Sequence, residues 1–203
     1  MVEQLALLHT QGFIMSIFDI HTKETAQTKS AELLAAAEKS YGFIPNLLGV
    51  FAESPATLKA YRTIGQIFDE SSFSPTERQL VILTASRLNE CHYCIAAHST
   101  VAEMQKVPAN VIDAIRNDQP IADSKLEALR TFTTAVVEKR GWVTGDDTEA
   151  FLAAGYTKAQ ILEVILGISF KALSNYVNHI ADTPLDDAFA SKAWAPVVKR
   201  LAS

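Results

Sequence analysis

The sequence predicts an all-α fold: a single-domain helical bundle that assembles into a homo-oligomer. Three observations carry this. Strict two-residue alternation of apolar and polar side chains is absent, and the eight glycines are scattered. Helix starts and stops recur along the chain instead. Some segments, such as Val81-Ile82-Leu83 and Ile161 to Ile168, are apolar most of the way round. A helix of that kind must be buried, as a central helix or against another subunit. With 203 residues, 48% of them hydrophobic, the chain can bury a core of its own.

The elements follow in order. Residues 1–29 read as a partly irregular N-terminal extension and residues 30–203 as the all-α domain. Ser30 to Tyr41 is rich in helix formers and is closed by Gly42. Ser54-Pro55 opens a helix to about Phe68. Ser74-Pro75-Thr76-Glu77 is a capping box that starts a helix to about Leu88. Asn89-Glu90 breaks the chain, and Cys91 to Lys106 is the next helix. Pro108 opens another to about Asn117, and Ser124 to Lys139 ends at Gly141. Thr157 to about Ala181 is long and apolar, with Pro184 beyond it. A last helix is expected over 185–198. Trp142 and Trp194 are expected to be packing residues.

Composition narrows the function. A net charge of -5 with no basic block argues against nucleic acid as a partner. No apolar run reaches the length of a membrane span, so no membrane role is expected. Met1 to Phe18 is fairly apolar but lacks a basic region and a small-residue cleavage site, which argues against a signal peptide. Met15 is an alternative start. The expected location is cytoplasmic, where two cysteines read as catalytic or metal-binding before they read as a structural disulfide.

Those cysteines are the most informative feature. Cys91 and Cys94 are the only two in the chain, spaced C-x-x-C, with His98 four residues on. Cys91 falls at the start of a helix, where free N–H groups and the helix dipole favour a thiolate. His98, one turn below Cys94, is placed to accept a proton. A thiolate attacks the O–O bond of a peroxide to give a sulfenic acid, which condenses with the second thiol to a disulfide. An external dithiol then reduces it. No nicotinamide or flavin motif is present, and no cofactor is expected. Two bland readings stand beside this one. The cysteines could be small buried hydrophobes, or zinc ligands with His98 and either His92 or His179. Structural zinc usually draws on a second ligand pair, which is missing, so no metal is expected. His92 alone reads as an exposed helix residue, and His9 and His21 need no function.

Glu90 to Ser99 resembles the C-x-x-C-x-x-x-H core of the carboxymuconolactone decarboxylase-like superfamily, in its alkylhydroperoxidase D branch. Gly42-Phe43-Ile44-Pro45-Asn46 followed by Ser54-Pro55, and Asn175-Tyr176-Val177-Asn178-His179, resemble flanking segments of its peroxidase-related members. The likeness covers roughly residues 30–187. It implies an all-α trimer or hexamer that reduces hydroperoxides, recycled by a dithiol or a thioredoxin-like or lipoyl-type partner. It implies Cys94 as the peroxidatic thiol, Cys91 as the more exposed thiol that forms the disulfide, and His98 as the proton acceptor.

Two positions depart from that pattern. The relay glutamate expected twelve residues before the first cysteine is Gln79, which cannot carry a proton as a carboxylate does. If the relay is broken there, Gln79→Glu should raise the rate. Glu77, two residues earlier, is a candidate acid but is already explained as the capping-box residue. Glu90 is another candidate and reads as solvated. Tyr93 stands where a second active-site histidine is expected, and its phenol can donate a hydrogen bond but is a poor base. His179 or Tyr176 is a candidate replacement for the missing acid. The plainer reading of the polar group Asn175, Tyr176, Asn178 and His179 is helix-to-helix hydrogen bonding or a subunit contact. A decarboxylase acting on a lactone-type carboxylate and a non-catalytic redox sensor are the competing functions.

Overall fold

The computed structural model describes residues 17–196, so His9 and Met15 lie outside the described residues. Among the described residues nine α-helices follow one another: α1 (Thr28–Tyr41), α2 (Asn46–Phe51), α3 (Pro55–Asp69), α4 (Pro75–Leu88), α5 (His92–Met104), α6 (Ala109–Arg116), α7 (Ser124–Glu138), α8 (Gly145–Ala153) and α9 (Lys158–Ala181). A 3-10 turn covers Asp187–Lys192. No strand occurs among the described residues.

Local chemistry sets the boundaries. Ser54 accepts from the Thr57 N–H and starts α3. Ser74 and Glu77 form the expected capping box on α4. Asp123 caps α7, accepting from the N–H groups of Lys125 and Leu126. Thr157 and Gln160 form a capping box on α9. Gly42 ends α1 in the left-handed conformation that glycine adopts without strain.

Three features differ from the sequence expectation. Helix α2 has six residues, too few to show a periodic apolar stripe. Helix α8 buries only Phe151 and opens on polar residues, so it has no amphipathic pattern to read. The helix expected over 185–198 is a 3-10 turn within its described part. Asp186 is held extended at its start, with its carboxylate accepting from the Asn46 N–H at 3.0 Å. At the other end Pro196 disfavours helical backbone at Ala195. The N-terminal segment docks on α2: the His21 N–H donates to the Gly49 carbonyl, and His21 Nε2 lies 2.8 Å from Glu53 Oε2.

Helix α4 is the central helix. Every residue from Gln79 to Ser86 is buried, and α5, α7 and α9 pack around it. One core cluster joins Phe68, Leu80, Val81, Leu83, Ile95 and Phe132, with Phe132 and Tyr156 stacked on either side of Phe151. A second cluster, around Leu47, Phe51 and Leu58, contains Cys91 and Cys94. Helix α9 buries one side and leaves Leu162, Ile165, Tyr176 and Ile180 exposed on the other. Trp194 packs as expected, its indole N–H donating to the Arg116 carbonyl. Trp142 does not: it is 87% exposed. No single helix among the described residues is long and apolar enough to cross a membrane.

Candidate active site

The turn between α4 and α5 places the thiols. Glu90 takes a positive φ of 53° and is exposed, as expected. The Cys91 N–H then donates to the Ser86 carbonyl at 2.9 Å. Cys91 is the N-cap of α5, and its sulfur accepts from the Cys94 N–H at 3.4 Å. Both cysteines are free. The expectation that Cys91 is the more exposed is not met in accessible area, since each residue is 1% exposed. They differ in what lies in front of them. Cys91 lines a surface cavity of about 420 Å³, with Asn89, Glu90, Tyr93, Asn178 and His179 among its walls. Cys94 lies behind that wall, in the protein.

Helix α9 supplies the polar groups around the sulfurs. Asn178 Nδ2 donates to Cys94 Sγ at 3.3 Å and to Cys91 Sγ at 3.6 Å. The Cys94 thiol donates to Ser174 Oγ at 3.7 Å, and the Ser174 hydroxyl donates to the Lys171 carbonyl. Asn175 bonds helix to helix, donating to Ser86 Oγ and accepting from Asn89. Tyr176 points to solvent, 57% exposed. His179 is exposed and lines the cavity mouth. Asn178, rather than Tyr176 or His179, is the residue of this group that reaches the thiols.

His98 bonds to two groups, neither of them a thiol. Its Nε2 lies 2.9 Å from Lys171 Nζ, and its Nδ1 lies 3.2 Å from Gln79 Oε1. An ammonium can only donate, so Nε2 accepts from Lys171 and Nδ1–H donates to Gln79. Gln79 Nε2 in turn donates to Gln105. Gln79 thus does meet His98, but as an amide that fixes the tautomer. Burial first, then the Lys171 charge, holds the imidazole well below its usual pKa and keeps it neutral.

Lys171 is fully buried. Among the described residues no carboxylate forms an ion pair with it. Its Nζ also sits 4.9 Å from the centroid of the Phe170 ring. The two thiols are pushed apart in acidity. Burial opposes ionisation of Cys94. The hydrogen bond with Cys91, the Lys171 charge and the polar side chains of Ser174 and Asn175 outweigh it and pull Cys94 below the ordinary thiol range. Cys91 is pushed up, first by its hydrogen bond to Cys94 and then by burial. Cys94 is therefore the more acidic thiol of the pair. Sequence reasoning missed Lys171 and Ser174. A lone cation inside the apolar run from Ile161 to Leu173 was the available signal.

The remaining candidates fall elsewhere. Glu77 is engaged in the capping box, its carboxylate accepting from the Ser74 N–H at 2.8 Å and lying 3.9 Å from Lys125 Nζ. Tyr93 is buried and anchors α5 to the turn beyond α9: its hydroxyl donates to Asp186 Oδ2 at 2.5 Å and accepts from the Leu47 N–H at 3.3 Å. Burial and the Asp186 carboxylate push its phenol up, so it stays protonated. Tyr93→Phe leaves Asp186 and the Leu47 N–H short of a partner. It is expected to cost about 1–3 kcal/mol in thermal unfolding and to leave thiol acidity unchanged. His92 is exposed, with Nδ1 2.9 Å from the Trp194 carbonyl. Among the described residues no group of three or more His, Cys, Asp or Glu side chains could hold a metal ion.

Residues 55–135 match the family model of the carboxymuconolactone decarboxylase family. No curated protein matches the chain. A crystal structure described as an alkylhydroperoxidase AhpD core, an uncharacterized peroxidase-related protein from Ralstonia eutropha JMP134, is similar with a TM-score of 0.77 at 19% identity. The match covers 90% of this chain and 98% of that one. An uncharacterized peroxidase-related protein from Silicibacter sp. TM1040 is similar with a TM-score of 0.75 at 16% identity, covering 91% and 98%. A variant of the debrominase Bmp8, solved with 2,3,4-tribromopyrrole, gives 0.68 at 18% identity, covering 87% and 97%. The matched segment runs from the start of α3 into α7 and holds Gln79, both cysteines and His98, while Lys171 lies beyond it. The family match is thus confined to residues 55–135, while the helices as a whole take the fold seen in the alkylhydroperoxidase AhpD core.

Proposed function

We propose that the protein is a thiol-dependent hydroperoxide reductase recycled by an external dithiol. The observation that carries this reading is the unequal thiol pair: a buried Cys94 whose surroundings favour the thiolate, beside a Cys91 that keeps its proton and faces a cavity. The Cys94 thiolate attacks the distal oxygen of the hydroperoxide. The O–O bond breaks, Cys94 becomes a sulfenic acid, and the leaving alkoxide takes a proton to depart as the alcohol. The Cys91 thiol then attacks the sulfenic sulfur, forming the disulfide and releasing water. A dithiol such as a lipoyl group or a thioredoxin-like partner attacks Cys91 from the cavity and returns both thiols by exchange. No cofactor enters the cycle. A reducing compartment such as the cytoplasm suits it. The uncovered apolar residues of α9 support a homo-trimer or homo-hexamer.

The test is peroxide consumption with thiol counting. Purified protein is mixed with cumene hydroperoxide or hydrogen peroxide, with and without dihydrolipoamide. Loss of both thiols, and many turnovers with the dithiol, is the expected result. Thiol loss without turnover makes the protein a redox sensor. Thiols that do not react overturn the thiol mechanism and return the decarboxylase reading to the front. Tribromopyrrole serves as the control substrate, since one protein of similar fold is a debrominase.

A further inference from the structure

We propose that Lys171, held in place by His98, is the counter-ion that makes Cys94 the thiolate of the pair and so takes the place of a carboxylate relay in this chain. The inference rests on the reductase reading for its consequence in turnover, but the charge itself is measurable without any peroxide.

The geometry leads there in steps. Lys171, Ser174 and Asn178 stand at i, i+3 and i+7 on α9, along one helix face. Asn178 touches both sulfurs and Ser174 touches Cys94, so the same face carries Lys171 toward the thiols. Lys171 is fully buried, and among the described residues no carboxylate pairs with it. A buried ammonium without an anion is costly. A neighbouring group that can ionise to balance it is the Cys94 thiol. His98 cannot share the charge, because two adjacent cations in one buried site repel, and its lone pair at Nε2 is already committed to Lys171. Gln79 completes the arrangement by accepting from Nδ1–H, which leaves Nε2 as the acceptor. An amide suits this role. A carboxylate there would be a second anion competing with Cys94 for the lysine. Gln79 therefore fits a site whose charge comes from Lys171.

A redox consequence follows. Oxidation to the disulfide removes the thiolate and leaves Lys171 without its partner. Stabilising the reduced form in this way makes the disulfide easier for an incoming dithiol to reduce. Lys171 thereby serves both halves of the cycle, acting on charge and not by touching the peroxide, which makes it a positioning residue.

The test uses the full chain. Lys171→Gln keeps a donor for His98 Nε2 and removes the charge. Thiolate ultraviolet absorbance is followed against pH, and the dithiol–disulfide equilibrium against glutathione. The expected result is a rise of one pH unit or more in the first thiol midpoint, about tenfold in the thiolate-to-thiol ratio. The glutathione equilibrium is expected to move by about tenfold toward the disulfide. Lys171→Arg, which keeps the charge, should keep the low midpoint. Lys171→Met should fold at least as stably when reduced at low pH, because an apolar chain replaces a buried charge. Unchanged midpoints in the Gln and Met variants overturn the proposal. Gln79→Glu separates the two accounts of the site: a relay lacking its acid gains rate, whereas the counter-ion account expects a slower enzyme, and a faster one overturns it. A low, Lys171-dependent midpoint in a protein that consumes no peroxide would leave the counter-ion standing and remove only the reductase reading.

Discussion

Cys94→Ser is expected to reduce peroxide consumption to the uncatalysed level, a loss of about three orders of magnitude or more, the scale on which removing a nucleophile acts. The hydroxyl of serine has no adjacent base here. His98 is neutral, but its Nε2 is taken by Lys171 and its Nδ1 carries the proton. Cys91 is a poor substitute, since its surroundings raise its pKa. Cys91→Ser should behave differently. It keeps Cys94 and its α9 partners, so the first oxidation proceeds. No disulfide can follow, and one sulfenic acid per chain should accumulate, trapped by a dimedone-type reagent. Mass spectrometry of the two variants checks both outcomes. The pH profile adds a third. A thiol pulled below the ordinary range is a thiolate at neutral pH, so the first oxidation should run at nearly constant rate through neutrality. It should fall only as acid protonates Cys94. A free thiol, with a pKa of about 8.5, would instead still be gaining rate as the pH rises through 8.

Gly167→Ala is expected to destabilise the fold by about 1–3 kcal/mol, the range for overpacking a filled core. A Cβ at Gly167 would lie 2.7 Å from Phe68 Cζ and 2.8 Å from Val81 Cγ1. Neither neighbour can yield easily, because both side chains are fully buried. The relief available is a shift of α9 away from α3 and α4. Lys171 sits one turn further along α9, so that shift also moves the ammonium relative to His98 and Cys94. Thermal melting should show the loss of stability, and thiolate titration of the same variant should show a raised midpoint. A variant that melts early with an unchanged midpoint would show that the thiol site tolerates movement of α9.

The helices with an apolar period or a capping signal could be read from the chain. Ser74 with Glu77 and Thr157 with Gln160 mark their helix starts by chemistry within four residues, and Gly42 marks an end. Helix α2 could not be read, because six residues cannot carry a periodic stripe, and α8 presents only Phe151 to the core. The turn at 187–192 is decided by Asp186 reaching back to Asn46, a contact 140 residues apart that no local pattern encodes.

The thiol site divides in the same way. Cys91, Cys94 and His98 are legible because their spacing lies within two helical turns. The sequence by itself determined that two thiols share the first turn of one helix and that Gln79, an amide and not a carboxylate, stands twelve residues before the first of them. Only the tertiary structure decided what surrounds them. Asn178 and Ser174 reach Cys94, and Lys171 reaches His98, from a helix about eighty residues further on, and Gly167 sits where that helix packs closest on Phe68 and Val81. The physical reason is range. Capping and periodicity act over a few residues of backbone, whereas the charge on a buried thiol depends on which distant side chains packing brings into a medium with no water to screen them.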